Sequence, residues 1–162
     1  MRDAESREGQ TDNPGVILLP PIIYLVPLFL GIALRFWKHF PMLPGSSFNV
    51  PFGLVLTFVG VFLMFAAVSA FKKFGEEPDP RTSTSNVVTA GPFKYSRNPM
   101  YLAFTVIYIG VTVAVNTWWP FIFLPFVLWM MYKGVIFREE AYLEQKFGED
   151  YLKYKKSVRR WL

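Results

Sequence analysis

The chain contains no cysteine and only one histidine, His39, among its 162 residues. Without cysteine there is no disulfide, no thiolate nucleophile and no cysteine-ligated metal site. A single histidine also excludes a metal site built from several imidazoles. We therefore expect a chemistry that needs no metal and no cysteine.

Charged residues are also scarce. Charged residues make up 18% of the chain and apolar residues 52%, whereas about 25% charged is usual for soluble domains. The segments 13–34, 39–71 and 98–132 contain no Asp, Glu, Lys or Arg. Because a membrane span needs about 20 apolar residues, the sequence predicts an all-α, polytopic membrane protein.

Four transmembrane helices fit these segments, at about 16–34, 50–71, 99–115 and 118–136. The uncharged segment 98–132 is too long for one span at 1.5 Å per residue. It is interrupted near its middle by Asn116, Thr117 and Pro120, which predicts a tight helical hairpin.

Prolines and small residues distinguish the first two spans. Pro20, Pro21 and Pro27 predict a first span that is bent or broken near its start. Gly53 and Gly60 in the second span predict the close approach of another helix.

The remaining segments are polar. Residues 1–15 are interpreted as a tail without functional content, and 16–162 as a single membrane-embedded domain. Residues 138–158 have the pattern of two short amphipathic cytosolic helices, with Gly148 as the C-terminal cap of the first.

The basic residues predict the orientation in the membrane. With four spans, both termini and the loop 72–98 share one side, which carries 15 of the 17 Lys and Arg residues. The positive-inside rule places that side in the cytosol of a plasma, inner or endoplasmic reticulum membrane. The net charge of +5 is thus interpreted as a topology signal with attraction to anionic lipid, and nucleic acid is not expected as a partner.

Two polar segments, 81–98 and 138–157, flank the hairpin and are predicted to meet on the cytosolic side. Asn98 is predicted to be the N-cap of the third span, with Pro99 in its first position. Such a helix start can hold an anion, and Arg97 beside it either reinforces the anion site or reaches towards the membrane surface.

Aromatic and acidic side chains also mark these segments. Phe93, Tyr95 and Tyr101 indicate either an aromatic belt at the headgroups or a wall for a planar ring. Glu139 and Glu140, directly after the fourth span, indicate either a solvated helix start or a partner for a ligand cation.

At these residues the sequence resembles the isoprenylcysteine carboxyl methyltransferase and phospholipid methyltransferase superfamily. The resemblance lies in VVTAGPFKYSRNPMYLA (87–103) and REEAYLEQKFGEDYLKYKK (138–156), in that order and separated by a helical hairpin. It implies a membrane methyltransferase that takes S-adenosylmethionine from the cytosol and methylates a lipid or lipidated acceptor.

The resemblance also implies site residues. The implied cofactor contacts are Ser85, Asn86, Val87, Val88, Phe93, Asn98, Pro99, Met100, Tyr101, Glu139 and Glu140. The expected catalytic residues are Glu139, Arg138 and Tyr101, and Tyr95, Tyr101 and Glu139 are the candidates for a base if the acceptor is an amine.

The identity of the acceptor stays open between an isoprenylcysteine carboxylate, a phospholipid amine and a small hydrophobic thiol. Eukaryotic carboxyl methyltransferases have an arginine where this chain has Val135, which favours a less acidic acceptor. Lateral access for the acceptor is expected around Tyr101, Thr105 and Met131. The alternatives are a non-catalytic membrane scaffold and a reductase-like protein that binds NADPH.

Overall fold

The computed structural model describes residues 13–43 and 47–162, and no β-strand occurs among them. The α-helices are α1 (Pro20–Trp37), α2 (Asn49–Lys73), α3 (Pro99–Val115), α4 (Trp119–Met131), α5 (Phe137–Phe147) and α6 (Glu149–Ser157). A 3₁₀ turn, Gly91–Lys94, precedes α3, and a π-helical turn, Tyr132–Ile136, joins α4 to α5. The predicted all-helical fold class is confirmed.

Within these residues α1, α2 and the continuous helical segment Trp119–Phe147 are long and apolar enough to cross a membrane, and α3 is a shorter apolar helix of 17 residues. The chain therefore has the composition of an integral membrane protein. The predicted fourth span, 118–136, corresponds to the first part of this continuous segment, in which the π-helical turn carries the helix onward into α5 without a break. Charges at Arg138 and beyond mark where the segment becomes polar, and they do not end a helix.

The helix of the first span begins at Pro20, so residues 16–19 of the predicted span precede it. Pro20 occupies the first position of α1, where its missing N–H costs no hydrogen bond. Pro27 lies inside the helix, which nevertheless continues to Trp37.

The turn between α3 and α4 is as short as predicted, and Asn116 ends α3 in the left-handed conformation at φ 54°. However, α3 and α4 contact each other little, because α1 packs against both of them. Their shared core contains Tyr24 of α1, Tyr108 of α3 and Met131 of α4, all buried. Helices α1, α3 and α4 therefore form a three-helix arrangement.

Helices α2 and α3 form the closest pair in the fold. A Cβ at Gly53 would lie 2.4 Å from the backbone nitrogen of Ala114, and one at Gly60 would lie 2.9 Å from that of Ile107. The predicted role of these small residues is confirmed, since any side chain there would hold the two backbones apart. The N-terminus of α3 is thereby fixed beside the end of α2.

Candidate active site

A cleft of about 810 Å³, part of it open to solvent, lies where the segment 77–101 meets α5 and α6. The cleft brings together the two polar segments that the sequence separates. Its lining residues are Pro14, Phe71, Glu77, Pro78, Asp79, Pro80, Thr82, Thr84, Asn86, Val87, Val88, Phe93, Arg97, Asn98, Pro99, Met100, Tyr101, Glu139, Glu140, Tyr142, Leu143, Tyr151 and Tyr154.

Most of the residues implied by the resemblance line this cleft, and two do not. The backbone N–H of Ser85 donates to the carboxylate of Glu76, and Ser85 is not part of the lining. The Arg138 guanidinium donates to the carbonyl of Gly15 at 3.0 Å and is also outside the lining. Of the predicted catalytic residues, the structure thus brings Glu139 and Tyr101 to the cleft, without Arg138.

Glu139 and Tyr101 are joined across the cleft. The Tyr101 hydroxyl donates to Glu139 Oε1 at 2.5 Å, which links α3 to α5. A hydroxyl that donates to a carboxylate forms a short, strong hydrogen bond. This contact holds the side chain in place. The other carboxylate oxygen, Oε2, has no protein donor among the described residues.

Glu140 has different partners, although it follows Glu139 directly. It is 5% exposed and accepts hydrogen bonds from Arg97 at 2.9 Å and from Arg160 at 2.7 and 3.0 Å. A buried carboxylate of this kind is satisfied by the protein itself. The adjacent glutamates therefore have distinct surroundings.

One wall of the cleft is aromatic. Phe93 is buried and packs edge-on against Phe71, with ring centres 5.1 Å apart. The Tyr154 hydroxyl donates to the carbonyl of Phe93 at 2.8 Å, and burial raises the pKa of Tyr154 to about 12, so that this donor stays protonated. Tyr95 is 74% exposed and lies outside the lining, so of the two alternatives for this residue a place in the wall is excluded.

The start of α3 forms a second wall. Asn98 occupies the N-cap position and its carbonyl accepts from Leu102, but its side chain makes no capping bond. Instead, the Asn98 amide donates to the carbonyl of Arg160 at 3.1 Å. The N–H groups of Met100 and Tyr101 have no partner within the helix, as at every helix start, and both residues line the cleft.

Residues 76–86 close the cleft from a third side and contain a residue that sequence reasoning missed. Glu76 is buried and accepts from the backbone N–H of Ser85 at 3.0 Å and from the Asn86 amide at 2.9 Å. Nothing in its spacing reveals this contact, since it depends on how the loop returns on itself. Glu76 therefore fixes the conformation of the segment that carries Asn86 and Val87.

The same loop is held at two further points. Hydrogen bonds from Arg81 lower the pKa of Asp79, which lines the cleft as a carboxylate. Lys146 of α5 donates to Ser83 at 2.8 Å and to Tyr142 at 2.9 Å. The contact between Lys146 and Ser83 joins the loop to α5.

The N-terminal segment also reaches the site. Residues 1–12 of the predicted tail lie outside the described residues, whereas Pro14 lines the cleft and Ile17 donates its N–H to the carbonyl of Gly134. Pro14 and Gly15, which the sequence analysis assigned to the tail, thus contact the folded part of the chain. Within the described residues, no group of three or more His, Asp and Glu side chains is placed to hold a metal ion.

Comparison with known proteins identifies the family of this chain. The profile of the phospholipid methyltransferase family matches residues 48–150. Protein-S-isoprenylcysteine O-methyltransferase of Schizosaccharomyces pombe is 33% identical over 72 residues, which is 44% of this chain and 30% of that protein. An uncharacterised protein of Haemophilus influenzae is 36% identical over 63 residues, 39% of this chain and 100% of that protein.

The chain thus spans less than a third of the fission yeast relative and the whole of the bacterial one. No solved structure shows a significant match to the chain. The resemblance predicted from the two sequence motifs is confirmed.

Proposed function

Because the chain belongs to the phospholipid methyltransferase family, we propose that it is a membrane methyltransferase that uses S-adenosylmethionine and methylates a lipid or lipidated acceptor. One observation carries the proposal. A single cleft combines an aromatic wall, the start of an α-helix and the carboxylate of Glu139, which come from separate segments of the chain.

The cleft offers a suitable partner for each part of this cofactor. Val88 and Phe93 provide an apolar surface for an adenine ring. The free N–H groups at the start of α3 suit a carboxylate. Glu139 provides negative charge for an ammonium or sulfonium group, and Asn86 provides an amide for polar contacts.

The reaction that we propose is an in-line displacement. The cofactor supplies an electrophilic methyl group on a sulfonium. A bond forms between the acceptor atom and the methyl carbon as the carbon–sulfur bond breaks, and the electron pair of that bond stays on sulfur. Such a step depends on alignment and on the exclusion of water, which agrees with a chain that has no cysteine and one histidine.

Glu139 and Tyr101 are the residues that we propose at the reaction centre, and Arg138 is left out because it contacts Gly15 instead. A carboxylate or thiolate acceptor needs no base. A protonated amine must lose its proton first, and Glu139 Oε2 is then the acceptor that the cleft provides. The hydrogen bond from Tyr101 orients the carboxylate for either role.

We also propose four transmembrane spans with both termini and the cleft on the cytosolic side, and a single domain over 16–162. Helix α3 has 17 residues, at the lower limit for a span. With α3 as the third span, the cleft and 15 of the 17 basic residues share one side. The positive-inside rule then gives the orientation.

The route of the acceptor differs from the expectation. The region around Tyr101, Thr105 and Met131 is closed by α1, because the Tyr24 hydroxyl is 2.8 Å from the Thr105 hydroxyl and Met131 is fully buried. Val135 is also fully buried in the core between α1, α3 and α4. A polar carboxylate of the acceptor would find no charged partner at position 135, which favours an amine headgroup.

A panel of acceptors tests the proposal. Purified protein in lipid nanodiscs is given S-adenosylmethionine with a labelled methyl group and either phosphatidylethanolamine, a prenylcysteine analogue or a water-soluble amine with the same headgroup. We expect label in a lipid acceptor and fastest in phosphatidylethanolamine. Faster methylation of the soluble amine, or no transfer to any acceptor, would contradict the proposal.

A further inference from the structure

Arg97, Glu140 and Arg160 form a buried cluster next to the cleft, here called the clamp. Both carboxylate oxygens of Glu140 have partners: Oε1 accepts from Arg97 at 2.9 Å and from Arg160 at 3.0 Å, and Oε2 accepts from Arg160 at 2.7 Å. Lys155 lies 4.0 Å from Oε2. These contacts occupy the carboxylate, so that little capacity remains for a ligand cation.

Arg97 connects Glu140 to the segment 155–160. One terminal nitrogen of Arg97 donates to the carbonyls of Lys155 at 2.9 Å and Val158 at 2.7 Å, while the other donates to Glu140. Its backbone N–H also donates to the carbonyl of Arg159 at 2.9 Å. The Arg97 side chain is only 8% exposed. The guanidinium therefore acts as a fixed fork between two backbone carbonyls of the segment 155–160 and a carboxylate.

The segment 155–160 in turn holds the start of α3. The carbonyl of Arg160 accepts from the Ser96 hydroxyl at 3.2 Å and from the Asn98 amide at 3.1 Å. The Arg160 guanidinium lies over the ring of Tyr132, 5.0 Å from its centre, at the π-helical turn that leads into α5. The segment therefore contacts both the start of α3 and the turn that leads into α5.

We propose that Arg97, Glu140 and Arg160 are positioning residues that fix the start of α3 relative to Glu139, and that Glu140 does not contact the cofactor. The inference rests on the proposed function of the cleft. Glu139 and Glu140 follow each other on α5, so the ion pairs of Glu140 set the position of Glu139. The Asn98 amide belongs to the same arrangement, since its partner is the Arg160 carbonyl and not a ligand.

The sequence offers a matched pair of variants to test this. Arg160→Ala removes a clamp side chain, whereas Arg159→Ala removes an exposed arginine side chain next to it that makes no hydrogen bond or ion pair with the described residues. We expect Arg160→Ala to raise the dissociation constant and the KM for S-adenosylmethionine at least fivefold, with kcat changed less than twofold at saturating cofactor. Arg159→Ala should leave both constants within twofold of the wild type.

Hydrogen exchange followed by mass spectrometry provides a readout of the clamp that is independent of activity. In Arg160→Ala the amides of residues 96–98 and 155–160 should exchange faster, because the segment loses its attachment to α5. Restoring charge with Arg160→Lys should restore part of the protection but not the forked pair. If Arg160→Ala does not fold, Arg160→Lys is compared with Arg159→Lys in the same way.

The outcomes separate the two proposals. Failure of the wild type to bind S-adenosylmethionine would refute the proposed function, whereas the exchange experiment would still report whether the clamp holds the segment. If the wild type binds the cofactor and the Arg160 variants bind it equally well, or if protection of residues 96–98 is unchanged, the positioning role of the clamp is refuted.

Discussion

The apolar helices α1–α4 and the polar cap, defined here as residues 76–98 and 137–161, are held together by different forces. Helices α2 and α3 meet through glycines, and the side chains that point away from this contact, such as Phe58 and Phe62, are 70% and 74% exposed. In the polar cap, the clamp and the contacts of Glu76 bury charged groups in hydrogen bonds.

The difference follows from the surroundings of each region. Lipid tails are as apolar as the helix surfaces, so the hydrophobic effect contributes no free energy when two helices associate in the membrane. Such helices associate instead through close packing of small residues. In the cap, buried charges are tolerated because each has a partner of opposite charge or a set of N–H donors. Substitutions in the apolar helices should therefore lower the stability of the protein, whereas substitutions in the polar cap should weaken binding.

The largest expected effect is the difference in cysteine labelling between the two sides of the membrane. The chain contains no cysteine, so single cysteines introduced at positions 45 and 80 report accessibility without background. An impermeant maleimide should label position 80 only from the cytosolic side and position 45 only from the opposite side. Labelling of position 45 from the cytosol would contradict the four-span topology.

A substitution at the glycine contact should cost the most stability. Gly53→Ala places a methyl group 2.4 Å from the backbone nitrogen of Ala114, so α2 and α3 must separate. Overpacking of this kind costs about 1–3 kcal/mol, which thermal unfolding in detergent would detect as a lower Tm.

Gly134→Ala is the matched control for that prediction. A Cβ at Gly134 meets no atom within 4 Å, and alanine is the better helix former by about 1 kcal/mol. Its Tm should be equal to that of the wild type or higher. Equal losses for both variants would show that close packing of α2 on α3 is not what stabilises the apolar region.

The polar cap should respond to loss of charge with a change in binding. Glu76→Gln replaces a buried carboxylate that accepts from Ser85 and Asn86 with an amide that places a donor beside them. A charged hydrogen-bond partner is worth about 1.5–3 kcal/mol. We expect the affinity for S-adenosylmethionine to fall about tenfold or more by isothermal titration calorimetry, because residues 85–88 lose their conformation.

Glu149→Gln serves as the control, since Glu149 is exposed in the first turn of α6 and does not line the cleft. Exposed substitutions of this kind change stability by less than about 0.5 kcal/mol. An unchanged affinity in Glu76→Gln would mean that the loop 76–86 does not contribute to cofactor binding.

Sequence reasoning succeeded where a local pattern determines the structure. The Asn98-Pro99 pair marks the start of α3 to the residue, and Gly148 ends α5 with φ +53°. The long uncharged segments placed α2 and α3 within two residues of their observed ends.

Sequence reasoning did not predict the contacts between distant segments. Helices that are apolar on all faces have no periodic stripe that indicates their neighbours, which is why the position of α1 between α3 and α4 was missed. Glu76 and the clamp depend on how loops return across the fold. The separate surroundings of Glu139 and Glu140 likewise appear only once α3, α5 and the segment 155–160 are brought together.

The central claim is that the cleft binds S-adenosylmethionine with Glu139 at its centre, and equilibrium binding to purified protein tests it most directly. The wild type should bind the cofactor with a measurable dissociation constant. Glu139→Gln should weaken binding about 10- to 100-fold, since a charge-assisted contact in a partly buried site is worth about 1.5–3 kcal/mol, while Glu149→Gln should bind as the wild type does. Absence of binding to the wild type, or equal affinities of Glu139→Gln and Glu149→Gln, would contradict the account.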